Sequence, residues 1–219
     1  RRSKDMSVYT AVEGNNAELL AKVCELYLTP DDRIADVTYG KGVFWKIVGE
    51  AQVAGTDKYS LPPAQQMDFT KLKYNDGQFS IVVFDPPYIH TPGEKYQNNA
   101  TYKNSETHKE EVSTEKYHKA VVQRYRRGMC EAARVASRMV WVKCQDEVCS
   151  GYQWYTHIEV FNIAQSLGLY ARDLFVLKQK GYPTIQHKAQ KHARKNHSYL
   201  WVFEKLDVQR QRQRFNLGV

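Results

Sequence analysis

The tetrapeptide Asp85-Pro86-Pro87-Tyr88 concentrates more chemistry than any other stretch of the chain. It follows directly on residues 79–84, an apolar run rich in β-branched residues that predicts a buried strand. Each proline fixes its own φ and restricts the residue before it to extended geometry. The expected product is a stiff arm at a strand end. It holds a carboxylate, backbone carbonyls freed from local pairing, and an aromatic ring. Such an arm suits a planar ring bearing an exocyclic amino group. Asp85 accepts one N–H, the Pro86 carbonyl accepts the other, and Tyr88 stacks on the ring face. The bland alternative is a Pro-Pro turn with a surface tyrosine.

Three weaker groups precede it. Asp36-Val37-Thr38-Tyr39-Gly40-Lys41-Gly42 lies between a predicted strand at 33–37 and a short apolar helix starting at Val43. Gly40 and Gly42 allow a sharp turn and close approach of a ligand to the backbone. Trp45 stands where the dinucleotide fingerprint needs its third glycine, and G-K-[ST] is absent, so neither that fingerprint nor a P-loop is present. A plain tight turn is the competing reading. Asp57 ends a predicted strand at 52–56, where a carboxylate can accept both hydroxyls of a ribose or merely cap a turn. Asp68-Phe69 offers an acid for an amino group and a face for a purine, and by itself means little.

The elements that must position these groups alternate. Asn15-Asn16 can cap a helix carrying Leu19, Leu20, Val23, Cys24 and Tyr27 at helical spacing. A long helix is expected over 115–136 and a strand over 139–143. Thr156 is expected to cap a helix bearing Ile158, Phe161, Ala164 and Leu167. Residues 174–177 and 199–203 read as two strands, a terminal antiparallel pair. This alternation predicts an α/β sheet, mostly parallel, with helices on both faces. Ligands bind such sheets beyond the carboxyl ends of the strands. Residues 89–114 are polar and aperiodic, a loop insertion that is either functional or disordered.

The 219 residues suit a single catalytic domain over 1–219, with a basic tail over 206–219. There are 32 Lys and Arg against 24 Asp and Glu, net +8, which points to a polyanionic partner. No apolar run approaches the roughly 20 residues that span a bilayer, so no membrane partner is expected. The opening Arg1-Arg2-Ser3-Lys4-Asp5 carries no secretory signal, and the expected location is cytoplasmic. Cys24, Cys130 and Cys144 lie in apolar segments and are expected as buried thiols, while Cys149 sits in a polar stretch. No C-x-x-C pair occurs and the histidines lack ligand spacing, so no metal site is expected.

Taken in order and spacing, these residues resemble the S-adenosylmethionine-dependent amino methyltransferases of DNA, whose signature is (D/N/S)-P-P-(Y/F). The resemblance covers most of the chain. Asp36, Thr38, Gly40 and Gly42 look like the family's cofactor loop, Asp57 like its ribose-binding acid, and Asp68-Phe69 like its adenine-contacting pair. Asp85-Pro86-Pro87-Tyr88 looks like the catalytic motif, with Asp85 also bordering the cofactor. The resemblance implies a Rossmann-like methyltransferase fold: a mostly parallel seven-stranded sheet with one antiparallel edge strand and helices on both faces. It implies S-adenosyl-L-methionine as cofactor, and the aspartate form of the motif leans towards adenine N6. Residues 191–203 also resemble the closing hairpin of one class in the family. Val37-Thr38 departs from that class, where Pro-Phe is usual.

The activity this implies is direct methyl transfer to the adenine amino group of DNA, on a base flipped out of the duplex. Cytosine N4 and RNA amino groups are alternatives, as is a non-catalytic nucleic-acid-binding subunit of the same fold. No large recognition domain fits in the chain. Recognition therefore falls to 89–114, to 178–197, to a homodimer, or to a separate domain or subunit. Between Leu174 and Phe203 there is no acidic residue. Lys188, Lys191, His192, Arg194, Lys195 and His197 form the expected phosphate track there, against the alternative of a solvated basic loop.

Overall fold

A computed structural model describes residues 7–88, 118–180 and 191–206. The 89–114 loop, Lys188 and all but the first residue of the 206–219 tail lie outside the described residues. In chain order the elements are β1 (Ala11–Gly14), α1 (Asn16–Tyr27), β2 (Ile34–Asp36), β3 (Val53–Gly55), β4 (Phe79–Phe84), α2 (His118–Val135), β5 (Ala136–Cys144), β6 (Glu147–Cys149), β7 (Tyr152–Trp154), α3 (Thr156–Ser166), β8 (Leu169–Gln179) and β9 (His197–Lys205). Short 3₁₀ turns cover Val43–Lys46 and Pro63–Gln65. Among the described residues no helix is long and apolar enough to cross a membrane.

Seven strands form one sheet in the order β1-β8-β9-β5-β4-β2-β3, and β6 pairs with β7 in a separate hairpin. Six strands of the sheet run parallel, and β9 runs against both its neighbours, β5 and β8. The antiparallel strand is present as expected but stands inside the sheet instead of at its edge. The β8–β9 hairpin folds β9 in beside β5, which leaves β8 and then β1 outside it.

Burial alternates along the strands with the pleat. Ile81, Val83 and Trp141 face α1 through Leu19, Leu20 and Val23. Val82, Phe84, Val140 and Val142 face α2 and α3 through Val121, Tyr125, Met129, Val160 and Ile163. Two covered faces explain why 79–84 reads as an unbroken apolar run. Asn15 caps α1 as expected: its side chain accepts from Ala17 N and Glu18 N, and Glu18 reaches back to Asn15 N at 2.7 Å, a capping box.

Two expectations are corrected. Thr156 is the first residue of α3 and its hydroxyl makes no capping bond; Tyr155 holds the cap position. The helix start is served from outside, where Asp146 accepts from His157 N at 3.2 Å. Cys130 is exposed, because it falls on the outer face of α2, whereas Cys149, at the end of β6, is buried. Local composition did not separate these two, because helix phase and tertiary cover decide them.

Candidate active site

The chain runs from β2 outward to β3, then returns to the other side of β2 with β4. This reversal opens a crevice at the carboxyl ends of β2 and β4, the usual place for a ligand in an open α/β sheet. Asp36 closes β2 and Asp85 follows β4, so both acids stand at the mouth of that crevice. The ladder extends to its rim, since Val37 N donates to Val83 O at 3.1 Å. The two motifs are then tied together, with Asp85 N donating to Thr38 Oγ1 at 2.7 Å.

Asp36 is committed to shaping the turn. Its carboxylate accepts from Trp45 Nε1 at 2.8 Å and from Thr38 N at 3.1 Å. That explains Trp45 in place of a glycine: its buried indole is the donor that holds Asp36. Burial pushes Asp36 up to about 7, with Asp85 and Asp57 adding repulsion and the two hydrogen bonds opposing it. Gly40 and Gly42 both have positive φ, 55° and 65°. A Cβ on Gly42 would lie 2.5 Å from the Tyr39 hydroxyl, so the space there is filled by the protein's own ring. At Gly40 the nearest atom would be Thr38 O at 3.9 Å, which leaves that stretch of backbone open to a ligand.

Asp85 is half-buried, but its Oδ1 is shut off from solvent and has no hydrogen-bond partner among the described residues. Burial pushes its carboxyl up to about 6, while the Lys143 cation and a hydrogen bond from Tyr88 pull the other way. Phe84 pairs with Val142 across the sheet, so the residues that follow, Asp85 and Lys143, are neighbours in register. Lys143 is almost wholly buried. Its Nζ donates to Ser198 Oγ at 2.7 Å and lies 5.6 Å from the centre of the Tyr88 ring. Burial lowers the Lys143 pKa and Asp85 opposes the fall. Arg124, buried on α2, donates to the Pro87 carbonyl at 2.6 Å.

Lys143 and Arg124 were missed as site residues. Lys143 lies in an apolar strand pattern, Met139-Val140-Trp141-Val142-Lys143, where a lysine next to a buried run is the available signal. Arg124 reads like Arg126 and Arg127 in sequence, yet only those two are exposed.

The remaining predicted residues divide. Asp57 sits beyond β3, and its Oδ1 accepts from Tyr59 N and Ser60 N at 2.9 and 2.8 Å, so the turn-capping role is real. Both bonds fall on the same oxygen. Asp68 accepts from Thr70 and from Lys58 Nζ at 3.1 Å, and its pKa is lowered by those partners against the effect of burial. Phe69 is a core residue, its ring 5.1 Å from that of Phe84. In the basic stretch, His192 Nε2 contacts Gly151 O at 2.8 Å, and His197 Nε2 contacts the Tyr199 hydroxyl at 2.9 Å. Lys191 is exposed, and Arg194 and Lys195 are partly so.

This architecture recurs among solved proteins. The chain superposes on magnesium protoporphyrin IX methyltransferase from Synechocystis PCC 6803, solved with bound SAH, at a TM-score of 0.52 and 11% identity, covering 87% of this chain and 81% of that one. A SAM-dependent methyltransferase from Methanosarcina mazei gives a TM-score of 0.48 at 12% identity, over 84% of this chain and 97% of that one. A candidate DNA modification methylase from Thermus thermophilus, in complex with S-adenosyl-L-methionine, gives 0.35 at 16% identity, over 67% and 57%. No protein-family model and no curated protein matches the sequence. At such identities the likeness is one of fold: the chain has the Rossmann-like fold of SAM-dependent methyltransferases.

Proposed function

We propose that the protein is an S-adenosyl-L-methionine-dependent methyltransferase acting on the exocyclic N6 amino group of adenine in DNA. The observation that carries this reading is the Asp85 carboxylate. It stands half-buried at the switch point, is tied through Thr38 to the glycine turn, and has one buried oxygen without a partner among the described residues. A buried unpaired acceptor costs stability and is kept where a ligand supplies the donor.

The residues present fit the cofactor. The open backbone at Gly40 would face its amino-acid end, and the oxygen of Asp57 not used in capping the turn would accept from a ribose. Asp68-Phe69 is a weaker fit for adenine, since Asp68 is already bonded and Phe69 buried. When bound, S-adenosyl-L-methionine supplies an electrophilic methyl carbon. Asp85 then accepts one amino N–H of the target base and the Pro86 carbonyl accepts the other. These bonds favour a pyramidal nitrogen with its lone pair freed for in-line attack. Tyr88 leaves its place over Lys143 to stack on the flipped base, offsetting part of the few kcal/mol that flipping costs. The N–C bond would form as the methyl–sulfur bond breaks with S-adenosylhomocysteine leaving, and the nitrogen's extra proton, acidic once the methyl arrives, would pass to solvent without a strong base.

The test is methyl transfer from radiolabelled S-adenosyl-L-methionine to duplex DNA, followed by digestion to nucleosides. Label is expected in N6-methyladenine. Asp85→Ala should lower the rate about a thousandfold, on the order of the loss of one electrostatic contact made in the transition state. It should still be stabilised thermally by S-adenosylhomocysteine. Label in RNA alone, or in N4-methylcytosine, would contradict the assignment.

A further inference from the structure

The β6–β7 hairpin rises from the carboxyl end of β5, on the same rim of the sheet as Asp85. Its surface is unusual. Tyr152 is 71% exposed, and Tyr155, just beyond β7, is 56% exposed, with Trp154 between them also on the surface. The hairpin is nonetheless held firmly. Cys149, the last residue of β6, is buried, and Trp154 stacks on His118 at 4.6 Å, near parallel. The tip residues Ser150 and Gly151 both have positive φ, 53° and 81°, the geometry of a tight two-residue hairpin turn. Large aromatic rings on a rigid base, turned to solvent, are platforms and not core.

The basic stretch is fastened to this platform. His192 contacts the Gly151 carbonyl at 2.8 Å, and Gln145, just after β5, donates to the His197 carbonyl at 2.9 Å. Lys191 and Arg194 flank the histidine fastened to the hairpin tip, Lys195 Nζ donates to the Ala193 carbonyl at 3.3 Å, and residues 191–197 contain no acid. In the hairpin the one acid, Glu147, bonds His118 and faces inward. Cations alone would suit any phosphate. Cations flanking exposed rings suit a backbone whose bases are unpaired and can lie on those rings.

We propose that the β6–β7 hairpin and residues 191–197 form a binding surface for the unpaired DNA strand beside the target base, with Tyr152 and Tyr155 as stacking rings and Lys191, Arg194 and Lys195 on the phosphates. This rests on the reading of the protein as a DNA methyltransferase. To the basic stretch already expected from sequence it adds the β6–β7 hairpin, which no motif announces.

The experiment measures binding of a fluorescein-labelled single-stranded oligodeoxynucleotide by anisotropy, in the presence of S-adenosylhomocysteine. A strand of equal length with an abasic backbone is the comparison. The wild-type protein should bind the base-bearing strand at least about thirtyfold more tightly than the abasic one, as stacking on two rings implies. Tyr152→Ala/Tyr155→Ala should bind both strands alike, with S-adenosylhomocysteine binding unchanged. A double variant that keeps the wild-type preference overturns the hairpin's role while leaving the DNA reading intact. Preference for an RNA strand of the same sequence overturns DNA as the occupant. A wild-type protein that binds neither single strand overturns this surface, while methyl transfer to duplex DNA still decides the DNA reading.

Discussion

In the proposed reaction Asp85 accepts from an amino group as a carboxylate, and burial raises its pKa to about 6. Activity, followed as kcat/KM, should therefore fall as the pH drops through about 6, where the carboxyl takes up a proton and loses its role as acceptor. The buried Lys143 cation pulls that pKa down. Lys143→Met removes the opposing charge, so the acid limb should move to higher pH and cut the rate near neutrality. Lys143→Arg should keep the limb nearer its wild-type position. The pH–rate profiles of the three proteins decide it, and an unmoved limb in Lys143→Met would separate Lys143 from the chemistry. Residue identity was enough to single out Asp85, since two following prolines leave few other uses for such an acid. Lys143 was not legible in the same way. Its importance comes from the pairing of β5 with β4, which is a fact of register and not of local sequence.

The arm that carries Asp85 depends on how closely α2 lies against β4. Gly128 of α2 sits over the Phe84 ring, and a Cβ there would approach Phe84 Cζ to 2.2 Å. Phe84 is itself packed between Phe69 and Tyr125, at 5.1 and 6.0 Å, so it has nowhere to retreat. Gly128→Ala should gain about 1 kcal/mol in helix propensity. It should lose about 1–3 kcal/mol to overpacking, and the loss is expected to prevail. Calorimetry should show a lower Tm, and methyl transfer should fall more than S-adenosylhomocysteine binding, because the displaced ring directly precedes Asp85. A variant as stable and active as the wild type would mean that α2 can shift freely. Helix and strand existence was readable from periodicity at 16–27, 79–84 and 118–135. The strands β1, β6 and β7 were not, because each is three or four residues long and pairs only with partners distant in sequence or across a tight turn.

At the scale of the whole molecule, net charge and the basic stretch predict salt-dependent binding. Each phosphate contact contributes about 0.7–0.9 to the slope of log K against log salt concentration. The triple variant Lys191→Ala/Arg194→Ala/Lys195→Ala should reduce that slope by about 2–3 in anisotropy titrations. An unchanged slope would place the phosphate track elsewhere. The antiparallel strand also belongs to this scale. The tight β8–β9 pair was expected from sequence, but its insertion between β5 and β1 follows from which sheet edge could receive a hairpin. That insertion brings Ser198 to Lys143 and His197 to Gln145, and so joins the basic stretch to the active rim.

Composition, periodicity and one proline-stiffened tetrapeptide were enough to set the class of sheet and to single out the strand end and the acid on which the proposed chemistry rests. Those properties are local: backbone restriction, hydrophobic pattern and strand-end position travel with a few consecutive residues. Which groups tune and surround that acid was decided by folding alone. Trp45 on Asp36, Arg124 on Pro87, Lys143 beside Asp85 and the aromatic hairpin beside the basic stretch are meetings that only the tertiary fold arranges, and the burial that gives them their electrostatic strength exists only once the layers close.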